Sequence, residues 1–384
     1  MSLVLFWVAV LLIAYTYIVF PGIVWLRKIF LTRPYKSAEI FPAVSLIIAA
    51  HNEARRIGAK VQNILSLDYP CAQLEVIIAS DGSNDDTDAI VRSYSKQGVR
   101  LLSLPRVGKA GALNAAVEAS NGTILVFSDA NSMLEPGAIR ALVRPFADPQ
   151  VGGVAGNQCY VDTNKSGTSA EGERSYWNLD RQLKQSQSQA GSAISATGAI
   201  YAIRRSLFRP VPPGVTDDFV TSTSVIAQGY RLVFAPEAIA REPVANTSQA
   251  EFHRKVRVIT RGLRAVWVMR ELLNPFKHGF YAIQLFSHKV MRRLVVFPLL
   301  LLVLASPLLW EEGLLYQAAM LAQVAFYGCA VLGIIFAQKR LGRLKLFAIP
   351  YFFCMVNAAS LIATWNVLRG HRIDRWEPQR AEVM

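Results

Sequence analysis

The fold is decided by four apolar stretches that follow one another at short intervals: VSLIIAA at 44–50, LEVIIAS at 74–80, VRLLSL at 99–104 and TILVFS at 123–128. Each has the length and the β-branched or aromatic content of a buried strand. Helical patterns separate them, at 54–66, 85–97, 109–120 and again after Pro136. Strands that alternate with helices predict an α/β fold with a parallel sheet covered on both faces.

Polar residues follow three of these strands. The clusters are His51-Asn-Glu53, Asp81-Gly-Ser-Asn-Asp-Asp-Thr87 and Ser128-Asp-Ala-Asn131. Open α/β sheets bind ligands outside the carboxyl ends of their strands. Each cluster alone is equally compatible with turns and helix caps, for which Asp, Asn, Ser and Gly are the usual residues. Three clusters at one sheet edge favour a binding site.

Apolar residues are concentrated at both ends of the chain. The 384 residues are 52% hydrophobic and 18% charged, below the ~25% charged residues of a typical soluble domain. Residues 3–26 carry no charge and are long enough to span a bilayer. The basic residues 27, 28, 33 and 36 come after this run, whereas a signal peptide has its basic residues first. This order predicts that the segment is a membrane anchor, with its N-terminus outside the cytosol and the following chain inside it.

Three more apolar runs close the chain, at 294–310, 314–337 and 346–368. The basic link at 338–345 predicts a cytosolic loop. A chain with four spans would have its C-terminus outside. The tail contains four arginines, and basic residues favour the cytosolic side. One of the C-terminal segments is therefore alternatively re-entrant or interfacial. The predicted organisation is a transmembrane helix at 3–26, a cytosolic α/β domain at 27–270, an amphipathic interface helix at 271–293, three transmembrane helices at 294–368 and a tail at 369–384.

The polar clusters lie in longer motifs, HNE at 51–53, VIIASDGSNDDT at 76–87, GKAGALN at 108–114 and ILVFSDANS at 124–132. In order and spacing these motifs resemble the nucleotide-sugar half of family 2 glycosyltransferases, and the resemblance covers nearly all of residues 42–270. The flanking spans resemble the membrane-integrated branch, which includes cellulose, hyaluronan and chitin-oligosaccharide synthases. The resemblance implies a GT-A nucleotide-sugar-binding domain, with a Rossmann-like mixed sheet, flanked by transmembrane helices.

The implied activity is that of a membrane-bound inverting enzyme, multi-pass in the bacterial inner membrane with a cytosolic catalytic domain. It would transfer a sugar from a nucleotide-diphosphate sugar, expected to be a UDP-sugar, to a saccharide or lipid-linked acceptor. Polysaccharide or glycolipid biosynthesis would be its role, with membrane lipids as further partners. The alternative is a membrane-anchored nucleotide-sensing or transport protein without transferase chemistry.

The resemblance also implies a metal site. Asp129 stands where the family's DxD motif coordinates the metal and the diphosphate, and Asn131 replaces the second aspartate. Mg²⁺ and Mn²⁺ suit carboxylate, phosphate and water oxygens, so either is the expected cofactor. A bound cation would neutralise the charge that develops on the leaving diphosphate. Asn131 supplies an oxygen without charge, which predicts weaker metal binding.

The other donor-side residues follow from the same motifs. Asp81 matches the family aspartate at the nucleoside, and His51 and Glu53 match the loop around the base and ribose. Lys109 stands at a predicted helix start after a glycine, where it could face the diphosphate. The alternative for Lys109 is an ordinary solvated lysine.

An acidic pair in the second half carries the expected catalytic chemistry. Asp217 and Asp218 stand before an apolar helix pattern at 219–228. In the family, the last aspartate of such a pair is the general base, which removes the acceptor hydroxyl proton. Asp218 is therefore the predicted base and Asp217 a helix cap or a supporting carboxylate. Thr197 and Gly198 resemble the small residues that line the base of the acceptor site in the family. Glycine at such a position would let the backbone approach the acceptor sugar closely.

Residues 252–293 contain ten Lys or Arg and one acid. Such a patch is compatible with nucleic acid, but an interface helix beside anionic lipid explains it better, and no nucleic acid partner is expected. The family carries QxxRW in this region, with an arginine at the diphosphate. The Gln and Trp are absent here, so the diphosphate role falls to Arg257 or Arg261. Their absence argues against processive synthesis.

Overall fold

A computed structural model describes residues 1–161, 168–243, 248–337 and 339–371. In this part of the chain the strands form one sheet. Its eight strands are β1 Val44–Ala50, β2 Leu74–Asp81, β3 Val99–Leu104, β4 Ile124–Phe127, β5 Met133–Leu134, β6 Val151–Val161, β7 Tyr201–Arg204 and β8 Arg231–Pro243. The four strands expected from the sequence are all present, within a residue or so of their predicted bounds.

The sheet is mixed, in the order β3-β2-β1-β4-β7-β6-β8-β5. The predicted strands β1 to β4 run parallel to one another, with Ile47 of β1 beside Ile77 in β2 and Phe127 in β4. β7 runs antiparallel to both β4 and β6. The carboxyl ends of β1, β2 and β4 therefore meet at one edge, as the sequence predicted.

The helices of the described chain cover both faces of the sheet and form the segments before and after it. They are α1 Ser2–Ala14, α2 Phe20–Phe30, α3 Ala54–Leu65, α4 Thr87–Ser93, α5 Gly108–Glu118, α6 Ala138–Val143, α7 Thr168–Ala190, α8 Asp217–Ala227, α9 Ser248–Val268, α10 Pro275–His278, α11 Phe280–Leu285, α12 Arg292–Leu294, α13 Val296–Ala305, α14 Leu314–Ile335 and α15 Lys345–Leu368.

The central strand β1 is buried on both faces. Leu46 and Ile48 pack in a core with α3, α4 and α6, while Ile47 and Ala49 pack in a second core with α5, α8 and α9. Full burial of each Leu or Ile side chain contributes about 1.5–3 kcal/mol. Burial on two faces explains why this strand reads as a continuous apolar run.

Three helical segments are long and apolar enough to cross a membrane: Ser2–Phe30, Leu314–Ile335 and Lys345–Leu368. The first joins α1 and α2 through a π-helical turn at Tyr15–Val19. The predicted span at 294–310 is instead the ten-residue α13 followed by a 3₁₀ segment, Pro307–Glu312, because Pro307 lacks the N–H that would continue the helix. Residues 372–384 of the predicted tail lie outside the described chain.

The segment predicted as one interface helix, 271–293, is divided into short pieces. They are a 3₁₀ turn at Arg270–Leu273, α10, α11, a π-helix at Phe286–Met291 and α12. Pro275 begins a new helix, and Gly279 has φ +55°, which breaks the next turn. The helices α7 and α9 pack against α15, and α7 also packs against α2. The α/β domain therefore packs against two of the three candidate spans.

Candidate active site

Asp129 lies at the end of β4, against the segment that contains Gly198. Its backbone N–H donates to the Gly198 carbonyl at 3.0 Å. A Cβ at position 198 would lie 2.6 Å from Asp129 Oδ2, far inside van der Waals contact. Glycine at 198 therefore makes room for the Asp129 carboxylate. The structure brings together a predicted acceptor-site residue and the predicted metal ligand.

Lys109 joins this carboxylate to the acidic pair. Its Nζ lies 2.8 Å from Asp129 Oδ1 and 3.0 Å from Asp217 Oδ2. The lysine side chain is 14% exposed, which excludes the solvated alternative. Burial opposes its charge, but the carboxylates of Asp129 and Asp217 outweigh burial and raise the pKa of Lys109. Lys109 is therefore a fixed cation between the donor-side and acceptor-side residues.

The two aspartates at the start of α8 differ in environment. Although burial opposes the charge of Asp217, Lys109 and Arg261 hold its pKa below the usual range. Burial and the neighbouring Asp217 charge raise the pKa of Asp218 to about 6. Asp218 Oδ1 accepts the Phe219 N–H at 2.8 Å. Neighbouring carboxyl groups with separated pKa values are typical of acid–base sites.

Asp217 is the first residue of α8, and Thr216 occupies the N-cap position. Of the two roles predicted for Asp217, the supporting carboxylate agrees with its contact to Lys109. The general base role of Asp218 stays a prediction.

Asp81 is fully buried, and both of its oxygens have partners. Oδ1 accepts the N–H groups of Val107 and Gly108 at 2.7 and 2.8 Å, and Oδ2 lies 2.7 Å from Arg106 Nη1. The carboxylate thus holds the turn that leads into α5 and places Lys109. Its contact with a nucleoside stays a prediction.

The loops after β1 and β2 are tied to each other. The Asn52 N–H donates to Ser83 Oγ, and Asn52 Oδ1 accepts the Asn84 N–H. His51 Nδ1 lies 2.8 Å from the Asp81 carbonyl, which can only accept, so Nδ1 carries the proton. Burial lowers the pKa of His51, so the ring is neutral near pH 7.

Glu53 is 7% exposed, and burial raises the pKa of its carboxyl group. Its backbone N–H donates to Thr87 Oγ1 at 2.8 Å. Glu53 therefore lies inside the junction of the two loops, and its predicted ribose contact is untested.

Arg261 lies next to the acidic pair. It is 9% exposed and donates from Nε and Nη2 to the Val215 carbonyl at 3.0 and 2.6 Å. Arg257 precedes it by one turn of α9. The hydroxyl of Thr197 is buried and has no hydrogen-bond partner in the described chain. Arg261 therefore borders the same site as Asp217, and Thr197 precedes Gly198, which contacts Asp129. The ligands of Thr197 and Arg261 are still predictions.

Two functional candidates were not found from the sequence. Lys60 is fully buried, and its Nζ donates to Ser128 Oγ at 2.9 Å and to the Ser132 carbonyl. Glu242 accepts from the Ser132 hydroxyl and from Gln158 Nε2. Together they hold both ends of the loop that carries Asp129 and Asn131.

The signal for Lys60 was available in the sequence. It falls among Ile57, Val61 and Ile64, on the apolar stripe of an amphipathic helix. A lysine on such a stripe is buried, and burial lowers its pKa to about 7. No comparable pattern marked Glu242, because its partners come from distant strands.

Among the described side chains, no group of three or more His, Cys, Asp or Glu residues is arranged to hold a metal ion. Asp129 and Asn131 are the predicted ligands from the protein. Mg²⁺ and Mn²⁺ sites that use one or two protein oxygens complete their shells with substrate phosphates and water. The residues present are compatible with a metal that binds together with a diphosphate.

The family model described as Glycosyltransferase like family 2 matches residues 42–261, more than half of the chain. The chain belongs to glycosyltransferase family 2. The structure of the chain also matches that of a mannosyltransferase from Pyrobaculum calidifontis, solved with GDP-Man and Mn²⁺. That structure has a TM-score of 0.68 and 24% identity, over 93% of this chain and 99% of that one. The GT-A fold is thereby confirmed.

The chain resembles two groups of bacterial enzymes. It is 26% identical over 236 residues to poly-beta-1,6-N-acetyl-D-glucosamine synthase of Staphylococcus epidermidis, covering 58% of this chain and 56% of that protein. It is 25% identical over 256 residues to an N-acetylglucosaminyltransferase of Mesorhizobium japonicum, covering 62% and 60%. The match thus spans little more than half the length of these relatives.

Proposed function

We propose that this family 2 protein is a membrane-bound inverting glycosyltransferase, which uses a nucleotide-diphosphate sugar and a saccharide or lipid-linked acceptor. The observation that carries the proposal is the position of Lys109 between Asp129 and Asp217, with Asp218 beside it. One buried cation thus links the predicted diphosphate site to Asp217, the carboxylate next to the predicted base. A nucleotide sensor would need no such second carboxylate.

Asp129 and Asn131 would hold a divalent cation, and the bound cation would neutralise charge on the departing diphosphate. Lys109 adds a fixed positive charge on the same side. Lys60 and Glu242 keep the Asp129 loop in place through Ser128 and Ser132. The Mn²⁺ in the mannosyltransferase structure supports this assignment without identifying the metal used here.

Asp218 would take the proton of the acceptor hydroxyl while that oxygen attacks the anomeric carbon. The new glycosidic bond forms as the bond to the diphosphate oxygen breaks, and the nucleoside diphosphate leaves with the electron pair. Attack opposite the leaving group inverts the anomeric configuration. Because a base works best when its pKa is near the working pH, the raised pKa of Asp218 suits this role.

The names of the relatives favour UDP-N-acetylglucosamine as the first donor to test. Detergent-purified protein should be incubated with UDP-N-acetylglucosamine, UDP-glucose and GDP-mannose, with Mg²⁺ or Mn²⁺, and nucleotide release measured. We expect release from a UDP-sugar that requires the metal and increases with acceptor. Nucleotide binding without release from any donor would support the sensing alternative.

We further propose that residues 27–293 and 338–345 are cytosolic and that the enzyme lies in a bacterial inner membrane. The basic residues that follow the first apolar segment support this orientation. Reporter fusions after residues 150 and 342 are expected to give cytosolic signals. A periplasmic signal at residue 150 would contradict the orientation, and a periplasmic signal at 342 alone would reassign the C-terminal spans.

A further inference from the structure

The chain between α7 and β7 is largely buried, although residues 192–199 form neither a helix nor a strand. This 192–199 segment contains the predicted acceptor-site residues Thr197 and Gly198. Its residues Ala193 and Ile194 are fully buried. A buried backbone without regular secondary structure must find its hydrogen-bond partners in other parts of the chain. The groups that supply those partners therefore determine where the segment lies.

Two side chains of α11 bind the beginning of this segment. The Tyr281 hydroxyl donates to the Ile194 carbonyl at 2.8 Å, and Gln284 Nε2 donates to the Ser192 carbonyl at 3.0 Å. Residues three apart share a helix face, and both side chains are buried, with exposed fractions of 8% and 3%. α11 lies beyond residues 42–261, which the family model matches. The segment is therefore held by a helix outside the family match.

The other end of the segment is bonded to both halves of the site. The Ala196 N–H donates to Ser222 Oγ at 3.0 Å, and Ser222 belongs to α8, the helix that begins with the acidic pair. The Gly198 carbonyl accepts the Asp129 N–H at 3.0 Å. Only four residues separate Ile194 from Gly198. A displacement of the segment at Ile194 is therefore expected to reach the site directly.

α11 is itself fixed against the first candidate span, Ser2–Phe30. The guanidinium group of Arg27 lies 3.8 Å from the centre of the Phe280 ring. Tyr15 is hydrogen-bonded to Ser287, in the π-helix that follows α11, with 2.7 Å between the hydroxyl oxygens. These contacts fix α11 from its first residue to the turn after its end. Tyr281 and Gln284 can therefore hold the 192–199 segment in one position.

We propose that Tyr281 and Gln284 are positioning residues, which place the 192–199 segment for binding of the acceptor. They act through the backbone of that segment. Lys60 and Glu242 hold the donor-side loop through separate hydrogen bonds, so loss of either α11 contact should impair use of the acceptor more than binding of the donor. The proposal rests on the transferase function proposed above and extends its acceptor site to a helix outside the family match.

The test compares Tyr281→Phe, Gln284→Met and the double variant with wild type. Rates are measured with UDP-N-acetylglucosamine as donor and with decyl N-acetylglucosaminide or an N-acetylglucosamine tetrasaccharide as acceptor, and the Kd for UDP is measured by calorimetry. Each single variant should lower kcat/KM for the acceptor by roughly 10- to 100-fold, because a misplacement of about 1 Å can cost up to 100-fold. The double variant should lose more, and the Kd for UDP should change little.

Tyr69→Phe is the matched control, because it removes the same kind of hydrogen bond elsewhere. The Tyr69 hydroxyl donates to the Pro42 carbonyl at 2.7 Å, and Tyr69 is 5% exposed. Tyr69 packs in the core on one face of the sheet and Tyr281 in the core on the other. Both substitutions leave a carbonyl without its hydroxyl partner, so both should lower the Tm. Only Tyr281→Phe should change the kinetics of the acceptor.

Hydrogen–deuterium exchange tests the placement of the segment without turnover. Peptides that cover residues 192–200 and 124–132 contain the amides of Ala196 and Asp129, whose partners are described above. Both peptides should exchange faster in Tyr281→Phe than in wild type and should not change in Tyr69→Phe.

Three results would overturn the proposal. They are unchanged exchange in Tyr281→Phe, faster exchange with normal acceptor kinetics, and an equal loss of acceptor kcat/KM in Tyr69→Phe, which would indicate general destabilisation. Failure of the transferase function gives a different result. Wild type would then release no nucleotide from any donor, while exchange of the 192–200 peptide would still depend on Tyr281.

Discussion

Replacing Asp218 with Asn is expected to lower kcat by about 10²- to 10⁴-fold, the usual contribution of a general base, while the Kd for the nucleotide sugar stays nearly unchanged. Asparagine keeps the side-chain shape and can still accept the Phe219 N–H, but it cannot take a proton. The loss should therefore fall on the chemical step. Turnover rates and donor binding by calorimetry on the same purified protein measure the two quantities separately.

The pH profile gives an independent reading of the same residue. The pKa of Asp218 is raised to about 6, first by burial and then by the charge of Asp217. A base must be ionised to act, so kcat should rise with pH through about 6 and level off above it. The residual activity of Asp218→Asn should lack this acidic limb.

Asp217→Asn is the matched control, since it removes a neighbouring carboxylate of the same size. Asp217 is buried against Lys109, so its loss should alter the placement of Lys109 and weaken donor binding more than it affects proton transfer. The assignment would be reversed if Asp217→Asn removed turnover with normal donor binding while Asp218→Asn remained active. It would also fail if Asp218→Asn acted only through loss of donor binding.

The part of the fold that carries the donor site was predictable because its strands are buried on both faces. Such strands are continuous runs of apolar residues in the sequence. The polar residues that follow them are easily recognised, because they interrupt these runs. The sheet edge that gathers His51, Asp81 and Asp129 followed from the parallel order of β1, β2 and β4. The sequence did not predict the antiparallel strand β7 or the strands β6 and β8 beyond it, because their pairing joins segments that are distant along the chain.

For the site, the sequence predicted which residues belong to it but not which of them contact one another. The motifs indicated Lys109, Asp129 and Asp217, but the ion pairs that join them connect residues from different motifs. Lys60 was missed because a charged residue is ordinarily assigned to the surface. Its position among the buried Ile57, Val61 and Ile64 of α3 is the physical reason that this assignment fails.

Replacing Asp129 with Asn is expected to lower kcat/KM by roughly 10³-fold or more in Mg²⁺ or Mn²⁺, because electrostatic stabilisation of the leaving group is lost. Asp129 would be the only carboxylate of the DxN motif, and Asn131 cannot replace its charge. The substitution also removes one of the two carboxylates paired with Lys109. Mn²⁺ binding in the presence of UDP, followed by electron paramagnetic resonance, should weaken in parallel.

Asn131→Asp is the matched control for that result, because it adds a carboxylate two residues away in the same loop. It should retain activity and bind Mn²⁺ more tightly, since a second charged oxygen joins the site. If weakened metal binding explains the Asp129→Asn defect, higher Mn²⁺ should partly restore activity in the variant. If the defect instead came from displacement of Lys109, added Mn²⁺ would not restore activity. Full wild-type activity in a chelator would refute the metal assignment and leave Lys109 as the group that neutralises the diphosphate.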